Sequence, residues 1–133
     1  MFKLSVVTTE RIIYEDAVAS VIAPGSLGYL GILSDHAPII TSLRPGKLTV
    51  KDASGRVIRF AVSGGFLENS ANTCTILADA AEFSTEIDLD RAKAALERAH
   101  QRLRNAAGDI DIPRARAAHD RAKARLSVAS DKD

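Results

Sequence analysis

The chain has 133 residues, 46% of them hydrophobic and 26% charged, as expected of a soluble globular protein with one domain, or one small domain plus an appendage. The formal net charge of +1 argues against a nucleic-acid binder, because affinity for phosphate backbones rests on a basic excess. No apolar run approaches about 18 residues, so we expect no insertion into a bilayer. Because Cys74 is the single cysteine, the chain cannot form an internal disulfide, which fits a reducing compartment. We expect Cys74 to lie in the core.

The composition changes sharply near Ile87. Residues 1–87 contain all six aromatic side chains and seven of the eight glycines, with 7 Lys and Arg against 9 Asp and Glu. Residues 88–133 contain no aromatic side chain and twelve alanines, with 11 Lys and Arg against 8 Asp and Glu. We therefore expect two differently built units, a domain at 1–87 and a second unit at 88–133.

The first unit has the pattern of an all-β domain. Apolar and polar residues alternate over 2–7, which is the period of a half-buried strand. Two β-hairpins are expected, one turning at 52–55 and one turning at 69–72. Pro-Gly pairs at 24–25 and 45–46 indicate further turns. Many short strands separated by turns predict a sandwich or a barrel.

The second unit has the pattern of a helical hairpin. Asp88 is the expected N-cap of the first helix and Gly108 its C-cap, while Asp111 caps the second helix with Pro113 in its first turn. A narrow apolar seam is expected on each helix. The first seam consists of Leu89, Ala92, Leu96, Ala99, Leu103 and Ala106. The facing seam consists of Ala115, Ala118, Ala122, Leu126 and Ala129.

The seams are mostly alanine, so they allow close approach but bury little area. At about 25 cal/mol per Å², a seam this short contributes only a few kcal/mol. One hypothesis is therefore a weakly held hairpin that can open or dock elsewhere. The alternative is a hairpin that stays closed against the β-domain.

Few residues offer catalytic chemistry. Gly64-Gly65 lies between two strand patterns, where a bulge or tight turn is favoured over a phosphate cradle. Ser34, Asp35 and His36 contain the residue types of a nucleophilic triad, but adjacent residues rarely aim at one point, so a structural turn is favoured. His100 and His119 fall on the polar sides of the helices, and no metal site and no active site are expected.

Four arginines of the helical unit form the one constellation that suggests a ligand site. Arg91 and Arg98 lie two turns apart on one helix, and Arg121 and Arg125 lie one turn apart on the other. Folding the hairpin places Arg98 opposite Arg121 and Arg91 opposite Arg125. Guanidinium groups match phosphate oxygens in a bidentate way, so the four could bind a polyphosphate. The alternative is a solvated basic face with intrahelical partners such as Glu97 and Asp120.

Three segments resemble the epsilon subunit of the bacterial F-type ATP synthase, and the resemblance extends over essentially the whole chain. Residues 28–38 (GYLGILSDHAP) are similar to the family pattern G-x-x-G-[IV]-L-P-x-H-x-P, with Ser34 in place of the usual proline. Residues 61–68 (AVSGGFLE) are similar to A-V-x-G-G-F-x-E. Residues 75–92 contain the stretches TILA, AAE and IDLDRA in the family's order.

The resemblance implies a ten-stranded β-sandwich at 1–87 followed by an antiparallel two-helix hairpin at 88–133. It implies a non-catalytic rotor subunit in the central stalk, which docks on the gamma subunit and the c-ring and couples proton flow to rotation. The hairpin is expected to extend toward the catalytic alpha/beta head and inhibit ATP hydrolysis. The implied location is peripheral, on the cytoplasmic side of the inner or plasma membrane.

The resemblance also implies functional residues. Some family members bind ATP on the folded hairpin through an [IL]-D-x-x-R-A motif, so ATP is a candidate regulatory ligand although no cofactor is required. The matching positions are Glu82, Ile87, Asp88, Arg91, Ala92, Arg98, Arg121 and Arg125. Expected contacts with a beta subunit are Arg114, Arg116, Arg121, Lys123 and Arg125. Expected contacts with gamma or the c-ring are Gly31, His36 and Pro38.

If the family resemblance is set aside, the residues are also compatible with a second function. A free-standing nucleotide-sensing adaptor with a helical interaction arm has the same features. Co-purification with gamma separates the two functions. A hydrolase is least favoured, because no nucleophile–base pair is evident.

Overall fold

The computed structural model describes residues 1–104 and 112–130. Seven β-strands precede a 3₁₀ turn at Ser84–Glu86 and two α-helices. The strands are β1 (Phe2–Val7), β2 (Ile12–Gly25), β3 (Gly28–Leu33), β4 (Ile39–Asp52), β5 (Val57–Ser70), β6 (Thr73–Ala78) and β7 (Ala81–Phe83). The helices are α1 (Leu89–Arg104) and α2 (Ile112–Ser130).

Five of the strands close into a barrel. The sheet runs β1-β6-β5-β4-β2, and β1 pairs with β2 as well as β6, which completes the ring. Strand β3 adds to β2 and β7 adds to β5 outside that ring. The expected ten-stranded sandwich is therefore wrong: the described residues form seven strands, five of which make a closed barrel.

The strand count was wrong because two of the 14-residue strands, β4 and β5, continue through positions where a turn or bulge was expected. Strands β4 and β5 keep one register from Ile39↔Asn69 to Lys51↔Val57, on both sides of the Pro-Gly pair at 45–46. Gly64 and Gly65 lie inside β5 with φ of 113° and 133°. Glycine tolerates these angles at no steric cost, so a strand can bend here without ending.

Both predicted β-hairpins are present. The β4–β5 turn is held by Asp52, whose Oδ1 accepts hydrogen bonds from the Ser54 hydroxyl at 2.7 Å and the Arg56 N–H at 2.9 Å. The Ser54 hydroxyl is the largest cause that lowers the pKa of Asp52. The β5–β6 turn places Ala71 and Asn72 at φ of 50° and 58°, as a two-residue type I′ turn requires.

The core fills the barrel, and the predicted alternation in β1 is confirmed. Phe2, Leu4 and Val6 are buried whereas Lys3 is exposed. Cys74 is fully buried as expected, and burial raises the pKa of its thiol to about 11. The other large, fully buried side chains of the barrel are Val18, Val21, Ile32, Leu48, Val50, Phe60, Val62, Leu67 and Ile76.

The helical hairpin is closed and lies against the barrel. Asp88 caps α1 as predicted, since its Oδ1 accepts the Arg91 N–H at 3.1 Å. Pro113 lies in the first turn of α2 as predicted, while Gly108 and Asp111 fall outside the described residues. Ala92 and Ala99 of α1 and Ala115 and Ala122 of α2 are buried seam residues. Leu89, in contrast, is exposed.

The second helix joins the hairpin to the barrel. It contacts β4, β5 and the 3₁₀ turn, whereas α1 packs chiefly on α2. Val128 is fully buried and Ala124 is 9% exposed, although neither belongs to the predicted seam. Helix α2 therefore uses two apolar faces, one toward α1 and one toward the barrel. None of the helices in the described part of the chain is long and apolar enough to cross a membrane.

Candidate functional site

A cavity of about 390 Å³ opens between the helical hairpin and the barrel. This volume lies within the range of small-molecule sites, which is roughly 300–1,000 Å³. Its barrel wall comes from β5, β7 and the residue that precedes β7, and its other wall comes from α1 and α2. The lining residues are Ala61, Val62, Ser63, Ala80, Glu82, Ala95, Arg98, Ala99, Arg102, Ala118, Arg121, Ala122 and Arg125.

Four arginines and one carboxylate make the cavity strongly basic. Arg98 and Arg102 enter from α1, Arg121 and Arg125 enter from α2, and Glu82 enters from β7. The guanidinium charges exceed the carboxylate charge, so the cavity favours a multiply charged anion. Bidentate hydrogen bonds from guanidinium groups suit phosphate oxygens in particular.

Glu82 and Arg125 form an ion pair that joins the barrel to α2. Arg125 Nε lies 2.8 Å from Glu82 Oε1, and an Arg125 terminal nitrogen donates to Oε2 at 3.4 Å. The Nε–H itself has no aligned hydrogen-bond acceptor, so the short distance is a charge contact rather than a well-directed hydrogen bond. The pair is about one-third exposed, so solvent screens its contribution to stability.

The structure brings Arg98 and Arg121 to one cavity, where folding of the hairpin was expected to place them opposite each other. It also places Glu82 and Arg125 there, two of the positions that match the family's ATP-binding residues, and their binding of ATP stays a prediction. Arg102 was missed, although it follows Arg98 by four residues and so shares its helix face. That spacing was the signal that could have found it.

The alanine-rich seams explain why the cavity exists. Ala99, Ala118 and Ala122 of the seams line it together with Ala95 beside them, and each of these side chains ends at the β-carbon. Larger side chains at these helical positions would fill the space between the hairpin and β5. The short alanine side chains are therefore the reason both that the seams bury little area and that a ligand has room.

The other positions of the expected ATP motif do not line the cavity. Asp88 caps α1, and Ala92 is fully buried. Arg91 is exposed and Ile87 is half-buried. Their part in ligand binding stays a prediction.

The residues expected to meet a beta subunit divide between two surfaces of α2. Arg121 and Arg125 line the cavity, so they face the barrel side of the closed hairpin. Arg114, Arg116 and Lys123 are exposed. Lys123 also borders a second recess of about 330 Å³ beside Arg44 and Lys47.

The residues expected to contact gamma or the c-ring lie in β3, which is outside the closed ring, and in the connection that follows it. Gly31 is exposed in β3, and His36 and Pro38 follow in the connection to β4. Asp35, next to His36, has φ of 63°, and its N–H donates to Asn72 Oδ1 in the β5–β6 turn at 2.8 Å. Asn69 Nδ2 of β5 donates to the His36 carbonyl oxygen at 3.2 Å. The turn is therefore fixed by hydrogen bonds to a second hairpin.

Residues 34–36 form the structural turn that was favoured, and they do not form a nucleophilic triad. The Ser34 hydroxyl accepts a hydrogen bond from the Met1 amino group at 2.7 Å. His36 Nδ1 lies 2.7 Å from the Ala37 carbonyl oxygen. The two side chains thus have separate partners, and the geometry of a general base beside a nucleophile is missing from these residues.

Two family models match the chain. Residues 1–84 match the description "ATP synthase, Delta/Epsilon chain, beta-sandwich domain". Residues 85–130 match "ATP synthase, Delta/Epsilon chain, long alpha-helix domain". Together the two models span nearly the whole sequence.

Curated relatives agree with these models. The ATP synthase epsilon chain of Moorella thermoacetica is 50% identical over 101 residues, covering 76% of this chain and 75% of the relative. The ATP synthase epsilon chain of Carboxydothermus hydrogenoformans has the same identity and coverage. That of Desulforamulus reducens is 43% identical over 107 residues, covering 80% of each chain.

Solved structures share the fold. A chain in the cryo-EM structure of Euglena gracilis mitochondrial ATP synthase, comprising OSCP, F1 and the c-ring, has a TM-score of 0.83 at 25% identity. That match covers 95% of this chain and 79% of the other. A chain of the central stalk and c-ring of Tetrahymena thermophila mitochondrial ATP synthase has a TM-score of 0.64 at 18% identity, covering 96% of each, which supports the fold alone.

Proposed function

The chain belongs to the ATP synthase delta/epsilon chain family, and from this premise we propose that it is a rotor subunit whose helical hairpin senses ATP. The barrel docks on the gamma subunit and the c-ring and transmits rotation. The hairpin inhibits ATP hydrolysis when it leaves the barrel and extends toward the alpha/beta head. The subunit is peripheral and works on the cytoplasmic side of the membrane that holds the complex.

Exposed apolar side chains support docking through the barrel. Leu27 is fully exposed, Leu33 is 64% exposed and Ile40 is 74% exposed. All three lie close in sequence to Gly31, His36 and Pro38. Large apolar side chains exposed on a surface are typical of protein interfaces.

The basic cavity is the observation that supports ATP sensing. Its arginines come from both helices, its carboxylate comes from β7, and its small apolar residues come from the helices, from β5 and from the residue before β7. This composition exists only while the hairpin is closed, because opening separates α1, α2 and the barrel. A polyphosphate bound there stabilises the closed state by its differential affinity for that state.

The same arrangement explains regulation. Alanine seams bury little area, so the closed hairpin is held weakly and a ligand of modest affinity shifts its population. When ATP is plentiful, the cavity is filled and the hairpin stays on the barrel. When ATP is scarce, the hairpin is released and its basic helix α2 reaches an acidic segment of a beta subunit.

Titration of the isolated chain with ATP, monitored by NMR and calorimetry, tests ATP sensing. We expect the signals of α1 and α2 to shift at millimolar ATP or below. Arg98→Ala and Arg121→Ala should each weaken ATP binding at least about tenfold, because a charged hydrogen bond contributes about 1.5–3 kcal/mol. Arg116→Ala is the matched control, because Arg116 lies on α2, is exposed and is outside the cavity. It removes the same charge and should leave binding within about twofold.

Two results would contradict ATP sensing: unchanged spectra at millimolar ATP, or equal loss of binding in Arg98→Ala and Arg116→Ala. The rotor assignment is tested separately. The chain should co-purify with gamma and lower the ATPase activity of a reconstituted complex. A chain that neither binds gamma nor changes that activity would favour the free-standing adaptor instead.

A further inference from the structure

Two histidines meet across the helical hairpin. His100 of α1 and His119 of α2 have their Nε2 atoms 2.7 Å apart. Their rings are stacked, with centroids 4.6 Å apart and an interplanar angle of 24°. They are 19 residues apart in sequence, so only the closed hairpin brings them together.

The environment of His119 fixes which of its nitrogens has a free lone pair. Its Nδ1 lies 3.3 Å from Asp120 Oδ1, and a carboxylate oxygen is an acceptor, so this contact favours the tautomer with the hydrogen on Nδ1. The Nε2 of His119 is therefore an acceptor, and His100 Nε2–H donates to it. A carboxylate on the far nitrogen of an imidazole is also the usual support of a histidine that binds a metal.

We propose that His100 and His119 form a two-histidine site for a divalent transition metal, with Ni²⁺, Cu²⁺ or Zn²⁺ as its chemical class. Metal–imidazole bonds of about 2.0–2.1 Å at a right angle separate two nitrogens by about 2.9 Å, and a tetrahedral angle separates them by about 3.3–3.4 Å. The observed 2.7 Å is the length of the hydrogen bond between the two nitrogens and lies a few tenths of an ångström below the right-angle value, so a metal enters when the two rings turn slightly and the nitrogens move apart. Binding requires His100 to move its hydrogen from Nε2 to Nδ1, while His119 keeps its tautomer.

Water completes the coordination of this site. Among the described residues, no group of three or more His, Cys, Asp or Glu side chains is arranged to hold a metal ion. His100 is exposed, so solvent reaches the metal position. With two protein ligands the metal exchanges readily, which suits a reversible regulatory site rather than a permanent structural centre.

The consequence of binding is a cross-link between α1 and α2. Because both ligands are present together only in the closed hairpin, a bound metal stabilises that state by mass action. This effect is independent of the basic cavity, since neither histidine lines it. The metal therefore adds a second input to the opening of the hairpin.

Calorimetric titration of the metal-free full-length chain with NiCl₂ or ZnCl₂ tests the site. We expect one ion per chain and an increase in melting temperature that EDTA reverses. His100→Gln and His119→Gln should each weaken binding at least about tenfold, and Asp120→Asn about tenfold or more through lost orientation of His119. His36→Gln is the matched control, because it removes the only other histidine in the chain and should leave binding and the melting shift unchanged.

A second measurement uses the wild-type chain and so does not depend on how the variants fold. Paramagnetic Ni²⁺ should broaden the NMR signals around His100 and His119 before any others. Broadening centred on His36 would overturn the proposal. So would Ni²⁺ affinity and stoichiometry that stay the same in wild type and His100→Gln.

Discussion

Gly65 shows how a single residue without a side chain lets β5 continue past a bend. Its φ is 133°, and a β-carbon built on it would overlap the carbonyl oxygen of Leu77 in the neighbouring strand. Gly65→Ala should therefore lower the free energy of unfolding by about 2–3 kcal/mol through strain and displacement of β6. Urea denaturation of the purified chain measures the change.

Gly31→Ala is the control for that substitution. A β-carbon on Gly31 would meet nothing closer than the Val21 carbonyl oxygen at 4.0 Å. Its free energy of unfolding should stay within about 0.5 kcal/mol of wild type. If the two alanine variants were destabilised equally, the contact between a β-carbon at Gly65 and the Leu77 carbonyl oxygen would not be the cause of the destabilisation.

The first helix depends on its cap more than on its apolar seam. Only two of its described seam residues, Ala92 and Ala99, are buried, so α1 gains little from burial. Asp88→Ala removes the acceptor of the Arg91 N–H and should cost about 1 kcal/mol of helix stability. Hydrogen exchange of the amides in the first turn of α1 should become faster.

Asp88→Ser separates the cap from the charge of Asp88. Serine is also a good N-cap, so this variant should keep the slow exchange of the wild type. If Asp88→Ala exchanged at the wild-type rate, the cap would not stabilise α1. A loss of ATP binding in Asp88→Ser with unchanged helix stability would instead assign Asp88 to the ligand site.

The whole molecule consists of a closed barrel with a hairpin placed on its side. The buried core of the barrel lies entirely between Phe2 and Ala81, and β1 closes the five-stranded ring without any contribution from the helices. A chain ending at residue 87 should therefore fold. We expect cooperative urea unfolding and NMR signals for the β1 and β6 core that match those of the full chain.

The truncated chain also measures how much the hairpin contributes to the stability of the barrel. Its midpoint of denaturation should fall only slightly, because Val128 and Ala124 are the only buried side chains of the described part of α2 that lie outside its seam toward α1. A non-cooperative transition, or a narrow range of amide shifts, would mean that the barrel requires the hairpin. The same chain should bind neither ATP nor Ni²⁺, because both sites use α1 and α2.

Local patterns in the sequence determined the elements themselves. The alternation at Phe2, Leu4 and Val6 predicted β1, the polar turns predicted both hairpins, and Asp88 marked the start of α1. Each of these is decided by residues within a few positions of one another, through backbone geometry or capping. The basic character of the hairpin and its alanine seams are likewise visible in the sequence.

Only the tertiary structure decided how those elements combine. Whether β5 ends or bends at Gly65 depends on β6 beside it, so a local pattern cannot count the strands. The cavity with Arg102 and the meeting of His100 and His119 depend on the register of α1 against α2 and on docking through Val128. Local spacing fixes which face of a helix a side chain occupies, but contacts between distant segments fix what that face meets.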